Sequence, residues 1–253
     1  MSGHNRWSKI KHKKEASDAK KSKLWTKVIK EITVSARLGG GDPSGNPRLR
    51  AAMDKARAVN MTNDVIDRSI KKGIGDAGDV TYEEFAYEVF GPGGSAMLVD
   101  IMTDNRNRTV SEVRNILQRG GGHLGASGSV SHMFRKLGVI VFDKSAVDEN
   151  AVTDLAIELG AEDVKSEGDA LTVLTEPKEF ERVREAFKEQ EKTKKLPAPV
   201  SAEVTMVAQT HVHLTGDDAV KAIKLVGLLE DNDDVQNVHS NVDVDDSVLE
   251  SVG

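Results

Sequence analysis

The chain has 253 residues, of which 38% are hydrophobic and 30% charged, a composition typical of a soluble globular protein with two or three domains. It contains no cysteine, which excludes disulfides, thiolate metal sites and a cysteine nucleophile. No apolar run follows the basic N-terminus, and no stretch approaches the ~18 apolar residues of a membrane span. We therefore expect a cytoplasmic protein with no signal peptide and no membrane contact.

The net charge of −6 hides a strong asymmetry along the chain. Residues 1–75 hold 18 basic and 7 acidic side chains, a net charge of +11, whereas residues 76–253 hold 17 basic and 34 acidic ones, a net charge of −17. A basic segment inside an acidic protein predicts a polyanionic partner for that segment alone. The alternative is that these basic side chains are ordinary solvated helix surfaces.

The N-terminal sequence predicts a basic arm over residues 4–23, followed by three short helices. Apolar residues recur at helical spacing over residues 24–38, and the glycines at 39–41 end that helix. Asn46 before Pro47 is typical of an N-cap with proline at the first helical position. A third helix is predicted after Thr62 or Asn63. Three short amphipathic helices joined by tight turns predict a small bundle.

From residue 81 the apolar period changes to two, which predicts strands. Tyr82–Phe90 and Ser95–Met102 are predicted as a hairpin, followed by a helix capped by Asp104 and by a third strand at Gly128–Phe134. The predicted order over residues 138–208 is β-α-β-β-α-β, the order of a ferredoxin-like unit.

Similar but incomplete sets of elements flank this unit, so the sequence predicts one α/β domain inserted into another. The predicted fold class is α+β, with an N-terminal three-helix bundle and two ferredoxin-like α/β domains. The predicted boundaries are 1–80 for the basic helical nucleic-acid-binding domain, 81–136 plus 201–241 for the discontinuous domain, 137–200 for the inserted domain, and 242–253 for an acidic tail.

The motifs that would carry catalytic or cofactor chemistry are incomplete. G-x-G-x-x-G occurs at 73–78 and 120–125, but both copies follow a helix, whereas a dinucleotide site needs the loop between a strand and a helix. His211 and His213 have no third ligand at a suitable spacing, and the acids at 231–234 lack the glycine and glutamate of a calcium loop. We expect no catalytic residue, metal, cofactor or small-molecule substrate.

Two loops leave alternatives open. Residues 104–109 (DNRNRT) lie between a strand and a helix N-terminus, where free amides and two arginines suit a phosphate, but Asp104 as cap with solvated arginines is equally compatible. Residues 120–129 (GGGHLGASGS) form a loop whose backbone could approach a ligand closely, or simply a flexible turn.

Several long segments resemble the YebC/PmpR family, which includes the mitochondrial translational activator of cytochrome c oxidase subunit I. They are GHNRWSKIKHKKEASDAKKSKLWTK, EITVSARLGGGDPSGNPRLRAAMDKARAVNMTNDVIDRSIKKG, YEVFGPGG, TDNRNRT and GGHLGASGSV. The chain departs from the family pattern at Gly3–Trp7, where GHSKW is usual, and at His123, where asparagine is usual.

This resemblance covers essentially the whole chain and implies a helical N-terminal domain, two ferredoxin-like domains and no catalytic activity. Carried over to this sequence, it implies nucleic-acid contacts by Lys9, Lys11, Lys13, Lys14, Lys20, Lys21, Lys23, Arg48, Arg50, Arg106 and Arg108.

Two functions remain open from the sequence. The first is a DNA-binding regulator of transcription that binds phosphates through the basic N-terminal region. The alternative is a ribosome- or RNA-associated translation factor that relieves stalling, for example at proline stretches. A ligand-sensing module or enzyme has no convincing nucleophile–base pair or metal cluster to support it.

Overall fold

The computed structural model describes residues 18–75, 82–193 and 195–252. Within them the helices are α1 (Asp18–Gly39), α2 (Pro47–Ala58), α3 (Asn63–Ile74), α4 (Arg106–Gly120), α5 (Glu149–Glu158), α6 (Phe180–Lys192), α7 (Gly216–Glu230) and α8 (Asp246–Val252). The strands are β1 (Glu83–Phe90), β2 (Ala96–Thr103), β3 (His123–Leu124), β4 (Phe134–Asp143), β5 (Asp163–Glu167), β6 (Ala170–Thr175), β7 (Ser201–Ala208), β8 (Val212–Leu214), β9 (Val235–Ser240) and β10 (Val242–Val244). No helix in this part of the chain has the length and apolar content needed to cross a membrane.

Helices α1, α2 and α3 form the predicted N-terminal bundle, and Asn46 stabilises the turn between α1 and α2. The Asn46 side chain accepts a hydrogen bond from the Leu49 amide (3.1 Å) and donates to the carbonyls of Ser35 (2.8 Å) and Gly40 (2.9 Å). One side chain therefore starts α2 and holds it against the end of α1. The predicted start of this helix at Asn46 and Pro47 is confirmed.

The bundle core is built from small and branched side chains, and one glycine permits its closest contact. A Cβ at Gly73 would lie 2.4 Å from the Thr33 carbonyl oxygen, so only glycine allows α3 to approach α1 this closely. The buried apolar residues of this core are Val28, Ile32, Ala36, Leu49, Ala52, Ala56, Met61 and Ile66.

The first sheet is antiparallel, with the strand order β3-β1-β2-β9. The predicted hairpin of β1 and β2 is present within one residue of its expected ends. Helices α4 and α7 contribute to the core that covers this sheet. Buried members of that core include Met97, Val99, Ile101, Val113, Leu117, Leu225, Leu229 and Val238.

The second sheet has the order β5-β6-β4-β7, again antiparallel throughout. With α5 and α6 its chain order is β-α-β-β-α-β, the predicted ferredoxin-like arrangement. The sheet lies between β3 and β9 in the chain, so it interrupts the first sheet. Strand β7 (Ser201–Ala208) pairs along its length with β4, so the predicted boundary at residue 200 separates a strand from its own sheet.

The two sheets contact each other through a mixed apolar and polar surface. Its apolar part contains buried Ala96, Leu98, Val130, Phe134 and Ala208. Beside it the buried His239 ring on β9 contacts Asp100 of β2 (2.9 Å) and Thr205 of β7 (3.3 Å). One imidazole thus links a carboxylate of the first sheet to a hydroxyl of the second.

The predicted strand at Gly128–Phe134 is wrong. Only Phe134 lies in a strand, at the start of β4, and Ser131–Met133 is a single 3-10 turn. The amides of Gly128, Val130 and Ser131 all donate to the Glu88 carboxylate on β1. They converge on one side chain instead of pairing with a neighbouring strand, which explains the failure of the period-two pattern here.

The predicted acidic tail at 242–253 is also wrong. β10 pairs in parallel with β8, and α8 follows it directly. Val242, Val244 and Leu249 are buried in the core of the first sheet. The high aspartate content obscured apolar residues that alternate in β10 and then recur at helical spacing in α8.

Leu249→Ala tests whether α8 is part of the folded core. Leu249 is only 4% exposed, so we expect the free energy of unfolding to fall by about 2–4 kcal/mol, the usual cost of this truncation in a core. Urea unfolding followed by circular dichroism measures it. Ser247→Ala, at an exposed position of the same helix, is the control and should change the free energy of unfolding by less than about 0.5 kcal/mol. Equal stabilities for the two variants would contradict this role of α8.

Candidate nucleic-acid interface

The predicted contact residues fall into three groups. Lys9, Lys11, Lys13 and Lys14 lie outside the described residues. Lys20 and Lys21 belong to the first turn of α1, and their side chains also lie outside the described part. The others, Lys23, Arg48, Arg50, Arg106 and Arg108, have defined surroundings, and these surroundings differ greatly from one residue to the next.

Lysines of α1 bind the C-terminal end of α7. Lys23 lies 3.4 Å from the Asp231 carboxylate, and Lys27 donates to the Glu230 carbonyl at 2.5 Å. Lys30 donates to the Asp233 carbonyl (2.9 Å) and to the Asp234 carboxylate (2.7 Å). A helix C-terminus carries partial negative charge on its free carbonyls, and the aspartates that follow add to it. This acidic end of α7 therefore attracts the lysines and holds the N-terminal bundle against the first sheet.

Asp234 is the centre of this contact and is only 4% exposed at its side chain. Besides Lys30 it accepts hydrogen bonds from Arg108 (2.8 Å) and from the hydroxyls of Thr109 (2.7 Å) and Thr103 (3.1 Å). Burial alone would raise the pKa of Asp234, but the hydrogen bonds from Arg108, Lys30 and Thr109 outweigh it and lower the pKa to about 2.

Arg108 therefore serves the fold in this structure. Its guanidinium also binds Asp104 at 2.9 Å, and the hydrogen bond to Asp234 is the largest cause of the raised pKa of Arg108. The cap of α4 is Asn105, whose side chain accepts from the Arg108 amide (3.0 Å), so the predicted cap Asp104 is wrong. A phosphate at this helix start would compete with two carboxylates for Arg108.

Arg48 is held in the same way. It binds the Glu31 carboxylate at 2.7 Å and the Glu84 carboxylate at 2.5 Å, and so joins α1, α2 and β1. The hydrogen bond to Glu31 is the largest cause of the raised pKa of Arg48. Arg48 thus forms a second ionic link between the bundle and the first sheet.

Arg106 is more open. Its guanidinium stacks 4.4 Å from the centre of the Phe85 ring, and the Glu83 carboxylate lies 3.7 Å away. The side chain is 61% exposed, so its outer surface remains accessible to solvent while the ring fixes its orientation. This geometry leaves Arg106 able to bind an anion without losing its place on the sheet.

The glycine loop at 120–129 already holds an internal anion. The amides that point into it from Gly128, Val130 and Ser131 bind the Glu88 carboxylate. Desolvation opposes ionisation of Glu88, but these amides together outweigh it and lower the pKa of Glu88. Glu88 occupies the position that the sequence left open for a ligand.

Other basic side chains of the bundle face outward. Arg50 and Lys55 on α2, and Lys71 and Lys72 on α3, are exposed, and none of them has a side-chain partner among the residues that the structure describes. They contrast with Lys23, Lys30 and Arg48, which face acidic groups of the rest of the protein. The bundle therefore has some basic side chains that are bound internally and others that are open to solvent.

Two family models match the chain. The TACO1/YebC N-terminal domain matches residues 5–76, and the TACO1/YebC second and third domain matches residues 82–242. The chain belongs to the TACO1/YebC family. A "probable transcriptional regulatory protein" of Geotalea uraniireducens is 54% identical to this chain, with 100% of each covered.

A second relative and a solved structure extend the match. A protein of the same name from Treponema denticola is 52% identical, over 96% of this chain and 97% of its own. A crystal structure of a conserved hypothetical protein from Aquifex aeolicus is similar with a TM-score of 0.78 and 41% identity, covering 90% of this chain and 93% of that one. The family resemblance of the sequence and the α+β fold are confirmed.

The sequence analysis did not identify Lys27, Lys30 and Asp234 as residues of the contact between α1 and the end of α7. A signal was present, because acids directly after a helix C-terminus are unfavourable unless a cation lies nearby. The run from Asp231 to Asp234 therefore called for a basic partner. Its partners lie about 200 positions earlier in the chain, so the sequence alone gave no means of pairing them.

Asp234→Asn tests the buried carboxylate. At pH 7 we expect a loss of about 2 kcal/mol in the free energy of unfolding, since hydrogen bonds from Arg108 and Lys30 lose their charged acceptor. The native pKa of about 2 is below the ordinary value near 3.9, so ionisation stabilises the fold fully above about pH 5 and less as pH falls toward 2. Urea unfolding between pH 7 and pH 3 should show the difference from wild type becoming smaller.

Asp233→Asn is the matched control for this series. Asp233 is exposed and binds Lys30 through its backbone carbonyl, which the substitution keeps. It should remain close to wild type at every pH. A difference between wild type and Asp234→Asn that stayed constant from pH 7 to pH 3 would show that charge is not the cause.

Proposed function

We propose that this chain is a nucleic-acid-binding regulator of gene expression, and that it binds DNA through its basic N-terminal region as a regulator of transcription. The observation that carries the proposal is the set of exposed, unpaired basic side chains on the described part of the bundle, Arg50, Lys55, Lys71 and Lys72. The names of the relatives, "probable transcriptional regulatory protein", support the transcriptional type.

The electrostatics of the chain support a polyanion at these outward basic side chains. Acidic residues of the domain that contains the first sheet neutralise Lys23, Lys30 and Arg48 on the inward side of the bundle. Segment 1–17 holds five basic residues and one acidic residue, which adds to the net positive charge of the N-terminal region. A nucleic acid would meet attraction at the bundle and repulsion from the remaining acidic surface, which orients the complex.

We expect phosphate contacts to account for binding by these side chains. The exposed charged side chains of α2 are arginine, lysine and aspartate, and α2 contains no asparagine or glutamine. Asparagine and glutamine are the side chains suited to adenine, so α2 has no adenine-reading side chain. Its lysine and arginines are suited to phosphates, and base reading by α2 is limited to guanine. The bundle should therefore bind different sequences with similar affinity.

We further propose that the chain binds without catalysing a reaction. Thr205, His239 and Asp100 form a hydrogen-bonded row that resembles a nucleophile, a base and an acid. Thr205 is only 9% exposed and His239 only 4%, because both lie between the two sheets. A substrate has no access to this hydroxyl, and the row joins two domains instead.

Replacement of Lys11, Lys13 and Lys14 by alanine in the full-length protein tests the role of the arm. If each lysine neutralises one phosphate, the slope of log K against log salt should become shallower by about two to three units on duplex DNA. Affinity should fall alike on unrelated sequences, since phosphates carry no base information. Fluorescence anisotropy across a salt series measures both quantities.

The control replaces Lys178, Lys188 and Lys192 together. These exposed lysines of the inserted domain pair with neighbouring glutamates, so the net charge changes equally without touching the bundle. The control should keep the wild-type slope. An unchanged slope in the arm variant, or an equal change in the control, would contradict the proposal.

Sedimentation of lysates separates DNA from the ribosome as the partner. We expect the protein to co-migrate with DNA at low salt and to lose this co-migration after DNase treatment. Co-migration with ribosomes that survives DNase and disappears after RNase would establish the alternative, a translation factor. The arm variant serves as the control for non-specific charge binding in both treatments.

A further inference from the structure

Helix α4 carries cationic residues in an otherwise acidic part of the chain. Its sequence contains Arg106, Arg108, Arg114 and Arg119 and one acid, Glu112, whereas residues 76–253 as a whole have a net charge of −17. All its basic residues are arginines, the residue type that forms bidentate contacts with phosphates and with guanine. The carboxylate of Glu112 is already bound by Asn232 at 2.8 Å.

One side of α4 is exposed, polar and free of acids. Its members recur at i, i+4, i+7, i+8 and i+11, the spacing of a single helix face. They are Asn107, Ser111, Arg114, Asn115 and Gln118, all exposed. The opposite side, with Val113, Ile116 and Leu117, is buried against the first sheet.

These side chains keep their hydrogen-bonding groups available. Ser111 donates to the Asn107 carbonyl of its own helix (2.8 Å). The amide groups of Asn107, Asn115 and Gln118 and the guanidinium of Arg114 have no hydrogen-bond partner among the residues that the structure describes. Asparagine and glutamine pair with adenine, arginine pairs with guanine, and serine pairs with either.

We propose that this face of α4 recognises base edges in the major groove of duplex DNA. The inference rests on the proposed function and adds to it the element that distinguishes sequences. From Asn107 to Gln118 the face is about 16 Å long, close to five base pairs. The major groove of B-DNA admits an α-helix, whereas the deep, narrow groove of duplex RNA excludes side chains, so the observations favour DNA.

The position of α4 allows the bundle and this face to act together. Arg108 in the first turn of α4 and Lys30 of α1 bind the same carboxylate, Asp234. The helix start is therefore adjacent to the N-terminal bundle. Arg106, held on Phe85 and largely exposed, lies at the same end and is placed to contact a phosphate beside the groove. Phosphate binding by the bundle and base recognition by α4 would then occur on one duplex.

The test is selection from a randomised duplex DNA pool with full-length wild type, followed by affinity measurements. We expect an enriched sequence that binds at least about tenfold more tightly than a scrambled duplex. Asn115→Ala/Gln118→Ala should bind both duplexes at the scrambled level. Alanine has the highest helix propensity and both positions are exposed, so the variant should keep the wild-type unfolding midpoint. Asn150→Ala, an exposed amide on α5, is the control and should keep full discrimination.

The other outcomes separate this inference from the proposed function. No enrichment by wild type, or full discrimination by the α4 variant, would overturn base recognition by α4. If Asn115→Ala/Gln118→Ala kept its discrimination between DNA sequences but lost binding to RNA, base recognition by α4 would also be overturned. The arm variant should weaken binding to both duplexes equally and keep their ratio. If wild type bound no DNA at all, the proposed function itself would fail.

Discussion

A buried carboxylate, Asp234, connects the N-terminal bundle to the rest of the protein. An isolated anion in this position would be unfavourable, and it is stabilised only because donors from α1, α4 and β2 converge on it. The bundle core and the core of the first sheet are separate clusters of apolar residues. The position of the bundle therefore depends on charged contacts with Asp234, Asp231 and Glu84, and is sensitive to whatever competes for its cations.

The positive charge of the bundle therefore divides into two sets of side chains, one bound to the acidic remainder of the chain and one left unpaired. Acidic residues of the domain that contains the first sheet bind the lysines and the arginine that face them. The outward basic residues Arg50, Lys55, Lys71 and Lys72 have no side-chain partner among the residues that the structure describes. Net charge along the sequence predicts the class of partner but not which cations are free. Lys23, Arg48 and Arg108 were predicted as external contacts, and each is bound to a carboxylate of the protein itself.

Local patterns in the sequence predicted most of the fold. Apolar periods of 3.6 and two placed the bundle, the first hairpin and the ferredoxin-like unit, and Asn46 with Pro47 marked a helix start. The wrong strand at 128–134 and the wrong acidic tail at 242–253 share one physical cause, which is that their partners are distant in the chain. The amides after Gly128 turn toward Glu88, and β10 and α8 are held by a core assembled from remote segments. In the site, Arg50 and Arg106 remain available as predicted cations, whereas the ion pairs of Arg108 and Lys30 could not be inferred from spacing.

The second sheet lies between strands of the first along the chain, and this imposes an order on folding during synthesis. The second sheet is formed by a continuous stretch of chain from β4 to β7, so it can fold as soon as β7 has left the ribosome. Strand β2 must wait for β9, and the hydrogen bond from the Ala96 amide to Asn241 spans 145 positions. Until then β2 is an unpaired edge, open to wrong pairing. The discontinuous domain that contains the first sheet thus remains incomplete until almost the whole polypeptide has been translated.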